Sequence, residues 1–282
     1  MDLPGAHSFI ELSEGECHYR LDGPEGAPLI MLLHGATVTE WEFDLLRPYL
    51  REAGFRTLGC DFYGHGYSDR PNGTYDLERF ARQADELLLA LAVAGPVDIL
   101  AHSLGAAVAA RFALRAPARV GTLLLAAPLV DFTATLPVSR VLRLPVVGEL
   151  LARHYMVPML LRRRAKRYRP LGDGTLGQRY RHQLIKPGFD RALLAMFRDG
   201  ALDDQRQLYA ALANSSHRIY LLWGEDDVIL PAAQRSELAD ILRSALIYSF
   251  PDAAHSFLLS HPERVARTII SCLSETRQAW PG

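Results

Sequence analysis

The sequence is poor in features that would assign it to a specialised class. Its three cysteines, Cys17, Cys60 and Cys272, are odd in number and far apart. They do not make a disulfide framework, and buried free thiols in a reducing, cytoplasmic compartment are expected. No apolar stretch reaches the ~20 residues of a membrane span. The start, Met1-Asp2-Leu3-Pro4-Gly5-Ala6-His7, has neither a basic n-region nor an apolar h-region, so no signal peptide is expected. Charge of one sign is lacking too. A net charge of −1 gives no global pull toward nucleic acid. Metal-ligand spacing, GxGxxG, a P-loop and internal repeats are all missing, and no cofactor or metal is expected. The sequence does not fix an oligomeric state.

What is present is a chain of 282 residues, 49% hydrophobic, enough for one sizeable core. Two short strands, Ser8 to Leu12 and Cys17 to Leu21, flank the Ser13-Glu14-Gly15 turn. Apolar strands then alternate with helical patterns. Strands are expected at Leu29–Leu33, Arg56–Cys60, Pro96–Leu100 and Val120–Ala126. Helices are expected at Glu40–Ala53, from the Asp76 cap to Ala94, and from Ala106 onward. From Pro128 to Ser216 the alternation stops and the pattern is helical. It resumes with strands Arg218–Trp223 and Ala245–Phe250 and helices Pro231–Leu242 and His261–Ser274. The expected fold is α/β, a mainly parallel twisted sheet with helices on both faces. Residues 1–127 and 217–282 form its core, and 128–216 a helical cap insertion.

Polar residues punctuate the strand ends: His34-Gly35, Asp61, Ser103, Asp131 and Asp226-Asp227. Ligands bind beyond the carboxyl ends of strands in such sheets, so these residues converge on one site. Ala101-His102-Ser103-Leu104-Gly105 lies in the tightest strand-to-helix turn of the chain. It follows the G-x-S-x-G pattern, with Ala101 for the first glycine, in which a strained turn holds the serine hydroxyl out. A serine needs a base to take its proton and an acid to orient that base. His255, between a strand and a helix, is the candidate base; His261, His154, His182 and His217 are expected at surface or packing positions. The turn after the Trp223 strand offers Glu225, Asp226 and Asp227 as candidate acids, with Asp131 as a rival.

The serine turn, the His34-Gly35 pair, the Asp61-x-x-Gly64-x-Gly66-x-Ser68 loop and the order Ser…Asp…His together resemble the α/β-hydrolase superfamily from Leu29 to about Val265, the insertion apart. The resemblance implies Asp227 as the acid, four residues before Pro231. It also implies an oxyanion hole made by the N–H groups of Ala36 and Leu104, the latter at a helix N-terminus. A serine at this position differs from the aspartate of haloalkane dehalogenases and epoxide hydrolases. The carbon–carbon hydrolases of aromatic degradation use serine, but tend to carry tryptophan where this chain has Ser256. The expected activity is hydrolysis of small to medium carboxylic esters, in the manner of a carboxylesterase or lipase, through an acyl-enzyme. Carbon–carbon or lactone hydrolysis, and a slow ligand receptor, are the alternatives.

The insertion carries the candidate pocket residues Met156, Met159, Leu193, Leu194, Met196 and Phe197, with His34 from the core. Between Arg140 and Arg191 there are 13 Lys or Arg against three Asp or Glu, densest at Arg162–Arg169. An apolar stripe beside a basic block fits either a cap helix with a wet basic face, the favoured reading, or a transient contact with a lipid surface.

Overall fold

The computed structural model describes residues 7–168, 171 and 174–279, the side chains of 163–167 and 278–279 excepted. Eight strands form one sheet: β1 (Ser8–Leu12), β2 (Gly15–Asp22), β3 (Leu29–Leu33), β4 (Arg56–Cys60), β5 (Val97–His102), β6 (Val120–Ala126), β7 (Ile219–Gly224) and β8 (Leu246–Phe250). Their spatial order is β1-β2-β4-β3-β5-β6-β7-β8. β2 runs antiparallel to both neighbours, and β4 through β8 are parallel.

The central strands are apolar on both faces because both faces are covered. Alternate residues feed two separate cores. Met31, Leu33, Ile99, Leu123 and Leu221 point into one. Ile30, Leu32, Leu100, Leu124 and Leu222 point into the other. Helices α2 (Leu77–Ala90) and α3 (Leu104–Arg115) close the first face, through Phe80, Ala84, Ala107 and Phe112. Leu50 of α1 (Arg47–Glu52) and Val265, Ala266 and Ile269 of the C-terminal helix close the second. Asp76 caps α2 as expected, its carboxylate accepting from the Arg79 N–H at 2.8 Å.

The stretch from Glu40 to Ala53 is not one helix. It splits into a 3₁₀ turn at Glu40–Phe43 and the short α1. Pro48, at the start of α1, has no N–H to continue a helix from the preceding turn.

Between β6 and β7 the chain forms α4 (Phe132–Thr135), α5 (Ser139–Leu142), α6 (Val147–Leu151), a π-helical turn at Ala152–Met156, α7 (Val157–Tyr168), α8 (Leu176–Leu184), α9 (Phe189–Arg198) and α10 (Arg206–Ala213). The last of these packs against α3 and against α11 (Ala232–Ile241). Two helices, α12 (Phe257–Ser260) and α13 (Pro262–Ala279), follow β8. Within the basic block, Arg169 and the side chains of Arg163, Arg164, Lys166 and Arg167 lie outside the described residues. Cys17, Cys60 and Cys272 are buried and unbridged. Among the described residues no helix is long and apolar enough to cross a membrane.

Candidate active site

The strand-to-helix turn between β5 and α3 leaves almost no room. A Cβ on Gly105 would lie 2.1 Å from the Leu33 carbonyl oxygen, so only glycine fits there. Ser103 takes φ 54°, ψ −115°, a conformation L-residues adopt only under constraint. The constraint is visible. The Ser103 N–H donates to Ala126 at the end of β6 (2.9 Å), and its carbonyl accepts from Leu129 (3.1 Å). The hydroxyl is thereby held at the mouth of the turn, half-buried.

Three of the expected residues form one hydrogen-bonded chain. Ser103 Oγ is 3.2 Å from His255 Nε2, and His255 Nδ1 is 2.8 Å from Asp227 Oδ2. The other carboxylate oxygen of Asp227 accepts from the N–H groups of Ile229 (2.8 Å) and Leu230 (3.0 Å). Burial alone would raise the Asp227 carboxyl; the His255 ring and those two N–H groups outweigh it and hold the group below its ordinary value. Asp226 is exposed, its N–H tied to the Ala253 carbonyl. Asp131 caps α4, its carboxylate accepting from Ala134 N–H (2.9 Å) and the Thr133 hydroxyl (3.0 Å). Neither is paired with His255.

The Leu104 N–H is in the first turn of α3, where no helical carbonyl stands four residues back to accept from it. Across the serine lies the loop Gly35-Ala36-Thr37, which lines the same cavity. The loop after β4 braces it. His65 Nε2 donates to the Ala36 carbonyl (2.9 Å), and Phe62 N–H donates to His34 Nε2 (3.0 Å). His34 Nδ1 in turn donates to the Gly35 carbonyl (2.8 Å). Burial pushes the His65 imidazole down to about 4 and lowers that of His34, and both rings act as braces of the loop. His34 is fully buried and does not line the cavity, a correction to its expected place in the pocket.

Two residues that sequence patterning missed tie the site together. Glu42 Oε2 accepts from the Gly35 N–H (3.1 Å), while its Oε1 lies 2.8 Å from His102 Nδ1. His102 Nε2 donates to the His255 carbonyl (3.0 Å). The His102 ring thus lies between the Glu42 carboxylate and the His255 carbonyl. Burial would lower the His102 pKa, but the Glu42 charge and the His255 carbonyl raise it. This buried pair joins the Ala36 loop, the serine turn and the His255 loop. No local periodicity marks it; only the tertiary fold brings Glu42 and His102 together.

The serine opens into a cavity of about 480 Å³. Met156, Met159, Leu193 and Phe197 line it, joined by Phe132, Leu142 and Tyr155, which the sequence did not single out. Leu194 and Met196 do not: both are buried in α9, within the packing of the inserted segment. Among the described residues, the lining holds no lysine or arginine, and its one carboxylate, Glu42, is already engaged. No His/Cys/Asp/Glu cluster suited to a metal occurs among the described residues. Tyr168, on the same wall, sets its hydroxyl 3.1 Å from that of Ser256, next to His255.

Comparison with known proteins gives the family. The chain is 29% identical over 270 residues to 2-hydroxymuconate semialdehyde hydrolase of Pseudomonas sp. (strain CF600), covering 92% of this chain and 90% of the relative. It is 30% identical over 257 residues to the pimeloyl-[acyl-carrier protein] methyl ester esterase of Neisseria meningitidis serogroup C, covering 86% of this chain and 92% of that protein. Among solved structures, a hydrolase from Pseudomonas aeruginosa PA01 superposes with a TM-score of 0.74 at 26% identity, covering 96% of this chain and 99% of the other. A family profile described as "Alpha/beta hydrolase family" matches residues 30–268, from the second residue of β3 into α13, and the chain belongs to that family.

Proposed function

We propose that the chain is a serine hydrolase that cleaves neutral carboxylic esters with a small to medium apolar acyl group. One observation carries this reading: the Ser103–His255–Asp227 chain opens into a cavity whose described lining holds no lysine or arginine to pair with a charged substrate. Ser103 Oγ attacks the ester carbonyl while His255 Nε2 takes its proton. Asp227 holds the imidazole with Nδ1–H toward itself and stabilises the imidazolium. The N–H groups of Ala36 and Leu104 receive the developing oxyanion. His255 then returns the proton to the leaving alcohol, and water, deprotonated by the same base, releases the acid. Residues 128–216 serve as the cap, roofing Ser103 with side chains from Leu129 to Leu202. No cofactor takes part.

Relatives support two chemistries. The Neisseria relative is named for ester cleavage. The Pseudomonas relative is named for 2-hydroxymuconate semialdehyde, which carries a carboxylate, so its likeness favours carbon–carbon hydrolysis as the second reading. The cavity favours the first, since burying an unpaired carboxylate there costs several kcal/mol. A receptor with slow turnover is the reading of another class. The test is kcat/KM on p-nitrophenyl butyrate, an enol-lactone and a dienoate semialdehyde. Ester turnover far above the other two supports the proposal. Preferred cleavage of the dienoate overturns it for carbon–carbon hydrolysis, and single turnover on all three points to a receptor.

A further inference from the structure

Apolar side chains left in water are concentrated in one stretch of this molecule. Of the fourteen large hydrophobics exposed among the described residues, six are Val141, Leu144, Val146, Val147, Leu150 and Tyr155. They run from α5 through α6 into the π-helical turn. The inward face of that run is clear from burial: Gly148, Ala152, Met156 and Leu160 recur every four residues and are buried. Val147, Leu150 and His154 recur at helical spacing on the other side and are exposed. Val146 is 69% exposed and sits at φ 63°. A β-branched residue in that region is an outlier, so the chain holds an apolar tip out in water in a strained conformation.

Charge on the same stretch is mainly positive. Arg140, Arg143, Arg153 and Arg162 are all exposed, Arg143 being paired with Asp203. The acid among them, Glu149, is paired with Arg198 from α9. The sequence from 140 to 191, with 13 basic against three acidic residues, belongs to a chain of net charge −1, so the remainder is strongly acidic. Charge is thus uneven along the sequence, and the basic stretch contains the segment that exposes apolar side chains. Tyr155, 60% exposed, also lines the cavity above Ser103, so the face borders the cavity's opening.

We propose that this face, from Arg140 to Tyr155, docks the protein onto an anionic lipid surface with the cavity opening turned toward the lipid. Apolar tips enter the interface, the arginines meet anionic headgroups, and repulsion of the acidic remainder sets the orientation. The chemistry that follows is access: an amphiphilic molecule dissolved in the lipid reaches the cavity past Tyr155 without crossing water. Docking does not depend on which bond Ser103 attacks.

The experiment is co-sedimentation with vesicles of phosphatidylcholine alone and of phosphatidylcholine with phosphatidylglycerol, at low and high salt. The full chain is expected to bind the mixed vesicles and to release at high salt. Arg140→Ala and Arg153→Ala are each expected to weaken binding about fivefold. The triple variant Leu144→Ser, Val146→Ser, Leu150→Ser is expected to weaken it by at least about tenfold. Both sets leave phosphonate labelling of Ser103 and the circular dichroism spectrum unchanged, which separates lost docking from lost folding. No partition into anionic vesicles, or equal partition into both kinds, overturns the proposal. So does a dimer, seen by size exclusion with light scattering, that the triple variant dissociates; the face would then join two copies.

Discussion

Asp227→Asn gives a direct reading of how the site works. The asparagine carbonyl can still accept from the Ile229 and Leu230 N–H groups, at 2.8 and 3.0 Å in the wild type. The loop therefore keeps its shape. What changes is the atom facing His255 Nδ1, 2.8 Å away, which becomes an amide N–H₂. An amide donor forces Nδ1 to accept, which puts the ring proton on Nε2, pointing at Ser103. The base then arrives already protonated. In serine proteases this defect costs about 10⁴ in kcat, close to 5.5 kcal/mol of transition-state stabilisation. Asp226→Asn alters an exposed carboxylate whose N–H, not its side chain, anchors the turn, and is expected to cost less than about threefold. The assay is kcat/KM on p-nitrophenyl butyrate for both variants, with thermal melts confirming that each is folded. If Asp226→Asn is the more damaging, or Asp227→Asn loses less than about tenfold, the assignment of the acid is wrong.

Other outcomes follow from the same geometry. Each methylene added to the acyl chain is expected to raise kcat/KM by up to about fourfold until the cavity is full. Met159→Ala is then expected to move the cut-off to longer chains; a flat profile, unmoved in the variant, refutes an acyl-lining cap. Gly105→Ala places a methyl against the backbone of Leu33 and is expected to cost about 1–3 kcal/mol or more, seen as a lower Tm. An unchanged Tm contradicts the close approach of α3 to β3. Asp61 is buried and accepts from His18 Nδ1 (2.8 Å), Glu40 N–H (3.0 Å) and Tyr67 N–H (2.8 Å). Burial alone would raise this carboxyl, but the His18 ring and the backbone donors hold it far below its ordinary 3.8. A depressed folded pKa means stability that is complete above the unfolded value and lost as pH falls below it. The gap in urea midpoint between wild type and Asp61→Asn is thus expected to be full at pH 7 and to shrink toward pH 3; a gap constant with pH contradicts the pairing.

Some of this was legible in the sequence for a simple reason. Strand β3 begins and ends where its apolar run does, because a strand buried on both faces has no polar residue to blur its limits, and β4 and β6 keep their expected bounds around apolar centres. Ser103, Asp227 and His255 each follow a strand end, and parallel strands bring their carboxyl ends to one edge. The break in Glu40–Ala53 was not legible from spacing, since Trp41, Phe43, Leu46 and Leu50 keep helical intervals across it and Pro48 decides the outcome. The Glu42–His102 pair was not legible either, as its partners are sixty residues apart and meet only when the Gly35 loop folds over the serine turn. In the inserted segment, Leu193 and Met196 read alike as apolar positions of α9, yet the first lines the cavity and the second is buried in packing. Which apolar face meets the cavity depends on how seven short helices settle over the sheet, and composition does not encode that.

The central claim is that Ser103 forms a covalent acyl-enzyme, and intact-protein mass spectrometry tests it most directly. Incubation with a p-nitrophenyl ester followed by an acid quench is expected to add one acyl mass, mapped by peptide digestion to the segment holding Ser103. A fluorophosphonate is expected to add its phosphonyl group at the same residue, and Ser103→Ala to abolish both additions while the fold persists. Label on any other residue, or label retained in Ser103→Ala, would contradict the account.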